Sequence, residues 1–286
     1  MAKKGASANE PEPQEGLTRE ETKSIKARRR LRAAVVYEII RVEGEGELAR
    51  SFGALWWSAL AAGISIGFSV LSQAMLESTL EGVPGAGMIA DFGYCVGFLI
   101  VILAHQQLFT ENTLTAVLPV MVKKDWNAIL DVLRLWTIVL AGNLAGCFLF
   151  AAFLAYSGAL SPETAASVGD ISRHMMANSP FEMFVKGIAA GWLIAALVWM
   201  LPSSEGTEIF VITLITYIIA LGDFTHIVAG SVEAIYMWLV GEASFWHVAG
   251  GFFIPTLLGN VAGGTILFAV VSYAQVREEL EGQARP

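Results

Sequence analysis

Two apolar stretches of this chain are too long for a single membrane crossing, and each is cut near its middle by polar residues. Six such stretches run at about 52–75, 86–121, 127–157, 181–202, 207–240 and 245–273. A helix needs about 20 apolar residues to span a bilayer. The first and fourth fit one crossing. The second and fifth exceed it and carry HQQLFTEN at 105–112 and GDFTH at 222–226. Hydrocarbon offers no partner to an unpaired N–H or C=O, so a broken span must be buried in protein or line a water-filled cavity. A chain that breaks two spans must therefore build a bundle around the breaks.

The third and sixth stretches each hold a Gly-Asn core, AGNLAG at 141–146 and LGNVAGG at 258–264. The order simple, interrupted, Gly-Asn occurs over 51–157 and again over 181–275. Three spans per repeat is an odd number, so the second copy must enter the membrane inverted. The expected fold is an all-α membrane protein of six transmembrane segments in two inverted three-helix repeats. The second and fifth helices are broken, and a pathway lies where the repeats meet. Gly142 and Gly146, and Gly259 and Gly263, are four apart and suit close helix packing. Asn143 and Asn260 are expected to bond the broken-helix backbone rather than a substrate.

Composition fits this picture. Apolar residues make up 55% of the chain and charged residues 15%, against about 25% charged in soluble domains. Cys95 and Cys147 lie in apolar runs and read as small buried hydrophobes. No nucleotide loop, metal-ligand spacing or nucleophile elbow is visible. No enzyme activity, cofactor, metal or nucleic-acid partner is expected. Residues 1–16 are polar and expected to be disordered. Residues 17–50 open with a capping-box pattern, Thr18 to Glu21. They predict an amphipathic helix on the membrane surface or on the protein's own cytoplasmic face, and a solvated helix packed on a neighbour fits equally. Residues 276–286 form a tail. Of 18 Lys and Arg, 11 lie within the first 50 residues, which places the N-terminus in the cytoplasm. An even number of crossings returns the C-terminus there. Lys123, Lys124, Arg277 and Arg285 then fall inside, and Arg173 alone marks the outer loops.

Asp223, Thr225 and His226 sit within the fifth stretch. In a soluble core, such a histidine would be a satisfied packing residue. At membrane depth an ionisable group is a functional residue by default. His105, at the edge of the other break, is a polar edge residue or a second titrating group. His174 and His247 fall in or near outer loops, with no role assigned.

The LFT at 108–110, Phe184-x-Lys186-Gly187-Ile188, the Phe-x-His ending at His226 and both Gly-Asn cores occur in order. Together, over about 25–275, they resemble the formate/nitrite transporter family, and most closely its poorly characterised inner-membrane branch with LFTEN. The resemblance implies an aquaporin-like fold, a bacterial inner-membrane location and a homopentamer with one pore per protomer. It implies a channel or proton-coupled transporter for small monovalent anions or their neutral acids. His226 corresponds to the family's central histidine. Thr110 lies on the opposing break, and Leu108 and Phe109 would help form one constriction. Tyr94 and Phe98 share a helical face and would line the same pore. Ile194 and Ile219 are placed at the other constriction; ordinary packing accounts for these apolar residues equally well. Lys186 would draw anions to the outer mouth or snorkel at the interface.

The chain also departs from the family's pattern. Gly191 stands where the family has an asparagine, and Gly230 follows Ala229 where an asparagine is usual. Both departures predict a widened selectivity region. Asp223, Glu111 and Glu233 carry the wrong sign for an anion path. Asp223 is expected to meet the backbone or Arg134, and Glu111 to cap the second half-helix. These features keep two other readings open: a neutral-solute pore of aquaporin type, and a non-conducting membrane scaffold or sensor.

Overall fold

The computed structural model describes residues 18, 20, 21, 31–123 and 125–283, with side chains up to 279. The tail expected over 1–16 and the Arg-dense first half of the amphipathic helix lie outside the described residues. So do Lys124 and Arg285. The chain divides after Arg32. In the first unit the Thr18–Glu21 capping box forms: the Glu21 N–H donates to Thr18 Oγ1 at 3.2 Å, and the Thr18 N–H donates to Glu21 Oε2 at 2.8 Å.

In the second unit α1 covers Ala33–Leu48, α2 Phe52–Thr79, α3 Ala86–Leu103, α4 Phe109–Thr115 and α5 Leu118–Lys123. Then come α6 (Trp126–Tyr156), α7 (Pro162–Met176), α8 (Pro180–Met200), α9 (Glu208–Leu221) and α10 (Ala229–Leu239). The last helix, α11, runs from Phe245 to Gln283 with wide π turns at Val248–Phe253 and Ala262–Ala269. Among the described residues there is no strand. Five helices are long and apolar enough to cross a membrane: Phe52–Thr79, Ala86–Leu103, Trp126–Tyr156, Pro180–Ser203 and Phe245–Glu279. The fifth apolar stretch is not one helix but α9 and α10, and the second is divided among α3, α4 and α5.

Local chemistry sets the helix starts. Ser51 accepts from the Ala54 N–H at 3.3 Å, and Ser161 accepts from the Thr164 N–H at 3.2 Å ahead of Pro162. Ser179 and Glu182 complete a capping box at α8, which satisfies two otherwise orphaned donors. The apolar face of α1 packs on its own bundle, with Val36, Tyr37 and Ile40 against Leu114, Leu118 and Phe268.

The two breaks are built alike. At the end of α3, His105 takes φ 51°, and at the end of α9, Asp223 takes φ 50°. The left-handed position of a helix end is usually glycine, but His and Asp tolerate it better than most residues. The following N–H groups close the last turn: Gln106 donates to the Val101 carbonyl at 2.9 Å, and Phe224 to the Ile219 carbonyl at 3.0 Å. The chain then runs on to the next half-helix.

Each passage is held by one buried asparagine. Asn143 of α6 accepts from the Phe109 N–H at 2.9 Å and donates to the Gln107 and Ala59 carbonyls, both at 2.8 Å. Asn260 of α11 accepts from the Ile227 N–H at 2.8 Å and donates to the Thr225 and Gly187 carbonyls, both at 2.9 Å. Three side-chain valences meet three backbone groups, two on the break and one on a neighbouring helix.

The asparagines reach the breaks because their helices pack at backbone contact. A Cβ at Gly146 would overlap the Leu60 carbonyl of α2, and one at Gly263 would overlap the Ile188 carbonyl of α8. Gly142 faces Ala59 and Gly259 faces Phe184 in the same contacts. Gly191 belongs to this set. A Cβ there would overlap the backbone carbonyl oxygen of Asn260. This corrects the expectation of a widened selectivity region at Gly191, since the position is a helix crossing with no room for a side chain.

Asn260→Leu orphans the Ile227 N–H and removes a partner from two carbonyls. At about 1–3 kcal/mol per unsatisfied buried group, it should abolish recovery of folded protein or sharply lower the melting temperature in detergent. Wild-type stability in this variant would show that the break does not depend on the clamp. Gly191→Asn should also lose folded protein on size exclusion. A folded variant with new formate flux would mean that the α8–α11 contact can open.

Candidate functional site

Two cavities approach each other from opposite sides of the paired breaks. The cavity beside α7, about 380 Å³, is lined by residues of α2, α3, α7, α9, α10 and the second break, with His226 among them. The cavity beside α1, about 490 Å³, is lined from α1, the first break, α4 and the start of α9, with Gln107 and Glu111 among them. Between them stands one hydrogen-bonded pair: His226 Nε2 lies 2.7 Å from Thr110 Oγ1. His226 is 1% exposed and Thr110 0%, so the pair is closed to water in this state.

The imidazole is oriented from both ends. Its Nδ1 accepts from the Ala229 N–H at 3.2 Å. A nitrogen that accepts carries no proton, so in the neutral ring Nε2–H is the donor to Thr110. Phe98 meets the ring edge-on, with centroids 5.0 Å apart, and Tyr94 lies 5.2 Å beyond Phe98. The other two polar residues of the GDFTH stretch turn elsewhere. Thr225 donates to the Met183 carbonyl at 2.7 Å, and Asp223 lies 3.3 Å from His174.

The remaining sequence candidates divide around this pair. Leu108 and Phe109 are buried beside Thr110 but line neither cavity, and Phe109 packs edge-on against Trp136. Tyr94 and Ile219 line the α7-side cavity, whereas Ile194 lines neither and belongs to the core. Lys186 does not line the α7-side cavity. Its Nζ donates to Asn178 Oδ1 at 2.8 Å, and Asn178 does line it.

One expectation is corrected. Asp223 does not meet Arg134, which instead donates to the Leu48 carbonyl at 2.6 Å and to the Arg50 carbonyl at 3.3 Å. Glu111 stands in the first turn of α4, where the start of a half-helix favours a carboxylate, and lines the α1-side cavity.

The wrong sign expected at Asp223, Glu111 and Glu233 extends over both cavities, through carboxylates that the sequence did not single out. The α7-side cavity carries Glu77, Asp91, Asp170, Asp223 and Glu233, with no lysine or arginine among its lining residues. The α1-side cavity carries Glu43, Glu47, Glu111 and Glu208, again with neither. Burial pushes the Glu43 carboxyl above the usual carboxylate range, against the pull of His105. His174 was also missed. It comes from α7, whose polar sequence no hydropathy profile marks, although Ser161-Pro162 signals the start of that helix. Among the described residues, no group of three or more His, Cys, Asp or Glu is placed to hold a metal ion.

Comparison with known proteins agrees with this geometry. Residues 34–274 match the family model described as formate/nitrite transporter. The inner membrane protein YfdC of Escherichia coli (strain K12) is 46% identical over 254 residues, which cover 89% of this chain and 82% of that protein. An ion channel of the same family superposes with a TM-score of 0.69 at 19% identity, covering 85% of this chain and 96% of the channel. A pentameric formate channel with formate bound superposes with a TM-score of 0.65 at 20% identity, covering 78% and 97%. Buried breaks, paired asparagines and a family match over most of its length lead to one conclusion: this chain belongs to the formate/nitrite transporter family.

Proposed function

We propose that this chain is an inner-membrane pore or proton-coupled transporter for small monovalent weak acids, and that the neutral acid is the form that passes the His226–Thr110 pair. The observation that carries the reading is this pair, closed at 2.7 Å between two cavities. A bare anion entering an apolar, dehydrated waist loses its hydration at large cost, and protonation removes most of that cost. The neutral acid can exchange its own hydrogen bonds for the one it interrupts. Its carbonyl oxygen accepts from His226 Nε2–H, and its hydroxyl donates to Thr110 Oγ1. The half-helices α4 and α10 both begin at the waist, which favours an oxygen-rich guest.

Phe98, Leu108 and Phe109 act as the apolar packing that keeps water out of the waist, and Tyr94 and Ile219 narrow the approach from the α7 side. Lys186 biases the rim of that approach through Asn178. Counting α3 with α4, and α9 with α10, as broken crossings gives six, in two inverted repeats of aquaporin-like plan. The α7-side cavity then faces outward. Both termini are cytoplasmic, as the basic N-terminal region favours. The pentameric formate channel among the structural neighbours and the inner-membrane relative support a homopentamer in that membrane.

A second reading, a pore for neutral solutes, is favoured by one observation: the carboxylates of both cavities repel anions. Flux into proteoliposomes under an imposed pH gradient separates the two. Formate or acetate uptake should follow the gradient. His226→Ala and Thr110→Val should each lower it by about tenfold or more, the factor set by about 1.4 kcal/mol. Glycerol flux that ignores both substitutions, with no acid uptake at any pH, would replace the weak-acid reading with the neutral pore.

A further inference from the structure

We infer that the α7-side cavity is a binding site for a small monovalent ammonium ion, ammonium or methylammonium in size, with Glu233 as its principal carboxylate. The inference goes beyond the weak-acid reading and does not depend on it.

Glu233 is 6% exposed and lines this cavity beside His226. Of the other four carboxylates on the wall, Asp170 is paired with Arg173 at 2.7 Å. Asp223 shares His174 at 3.3 Å, and Asp91 accepts only a neutral amide N–H from Gln73 at 3.0 Å. Glu77 and Glu233 make no hydrogen bond or ion pair with any described residue. The nearest cations, Arg173 and Lys186, stand behind Asp170 and Asn178 and do not line the space. A carboxylate buried without a partner is costly unless it is protonated or meets a cation. Glu233 opens only onto the cavity, so whatever meets its carboxyl, water or a cation, must enter through that space.

The chemistry of the walls narrows the cation. Tyr94, Phe224 and Phe252 line the same cavity, and aromatic rings suit an ammonium or alkylammonium ion far better than a strongly hydrated metal ion. The carboxylates do not converge as metal ligands. An ammonium ion needs only scattered acceptors, which Glu233 of α10 and Asp91 of α3 offer. A space of about 380 Å³ holds such an ion with a few waters.

The test is saturation-transfer NMR of methylammonium with the full-length protein in detergent, with formate flux measured on the same preparations. Saturable binding should be displaced by ammonium and not by an equal concentration of potassium. Glu233→Gln should weaken it by about tenfold or more, Asp91→Asn by less, and Glu163→Gln, an exposed change of equal charge, not at all. If Glu233→Gln does not fold, Glu77→Gln combined with Asp91→Asn should weaken binding instead. Equal weakening by Glu163→Gln, or equal displacement by potassium, would overturn the site in favour of diffuse charge. Formate flux without methylammonium binding would overturn this inference and leave the weak-acid reading standing. Methylammonium binding without acid flux would do the reverse.

Discussion

The molecule is organised around four backbone groups at its two breaks that hydrocarbon cannot satisfy. Breaking α3 from α4 and α9 from α10 exposes N–H and C=O groups at a depth where water is absent, and each left unpaired costs several kcal/mol. Asn143 and Asn260 answer that cost in the same way. A carboxamide offers an acceptor and two donors from one planar group, and here all three are used. Aspartate would lack the donors and would carry a charge. Leucine would lack everything. The glycines follow from the asparagines, because a short amide can reach a break only if its helix lies at backbone contact with the next one.

The site inherits its geometry from this arrangement. Asn260 holds the Thr225 carbonyl and the Ile227 N–H, so the residue between them, His226, has its backbone fixed on both sides. Asn143 holds the Gln107 carbonyl and the Phe109 N–H in the same manner, which fixes Leu108 and starts α4 one residue before Thr110. The two breaks thus present a leucine and a histidine at matching positions. The contact of His226 with Thr110 is a bond between two independently clamped segments.

The parts of this arrangement that rest on local pattern can be read from the chain. Apolar runs with polar interruptions mark the spans and where they fail, and Gly-Asn cores mark where helices approach. The parts that rest on distant contacts cannot be read in this way. Gly191 looks like a missing side chain when compared along the sequence. In space it is the surface on which the Asn260 backbone rests. Asp223 looks like a charge in need of Arg134. In space it is a left-handed helix end beside His174, a residue on a helix too polar to register in a hydropathy profile. Thr110 and His226 are 116 residues apart, and only a family pattern links them before the fold is known.

The acidic cavities pose the sharpest physical question. Coulomb repulsion from several carboxylates falls off over about 8–10 Å in ordinary salt, so an anion inside either cavity feels all of them. A neutral molecule feels none, and a monovalent cation is concentrated. On the proposed reading, carboxylates on both sides of a dehydrated waist would filter by charge before the waist filters by size. A weak acid passes such a filter only in its protonated form. Acidic walls favour that form, because they hold protons near the mouth and lower the local concentration of the anion. The same walls that argue against an anion channel thus suit a path for the neutral acid. On the proposed weak-acid reading, the proton carried on the substrate is the positive charge that such walls would admit.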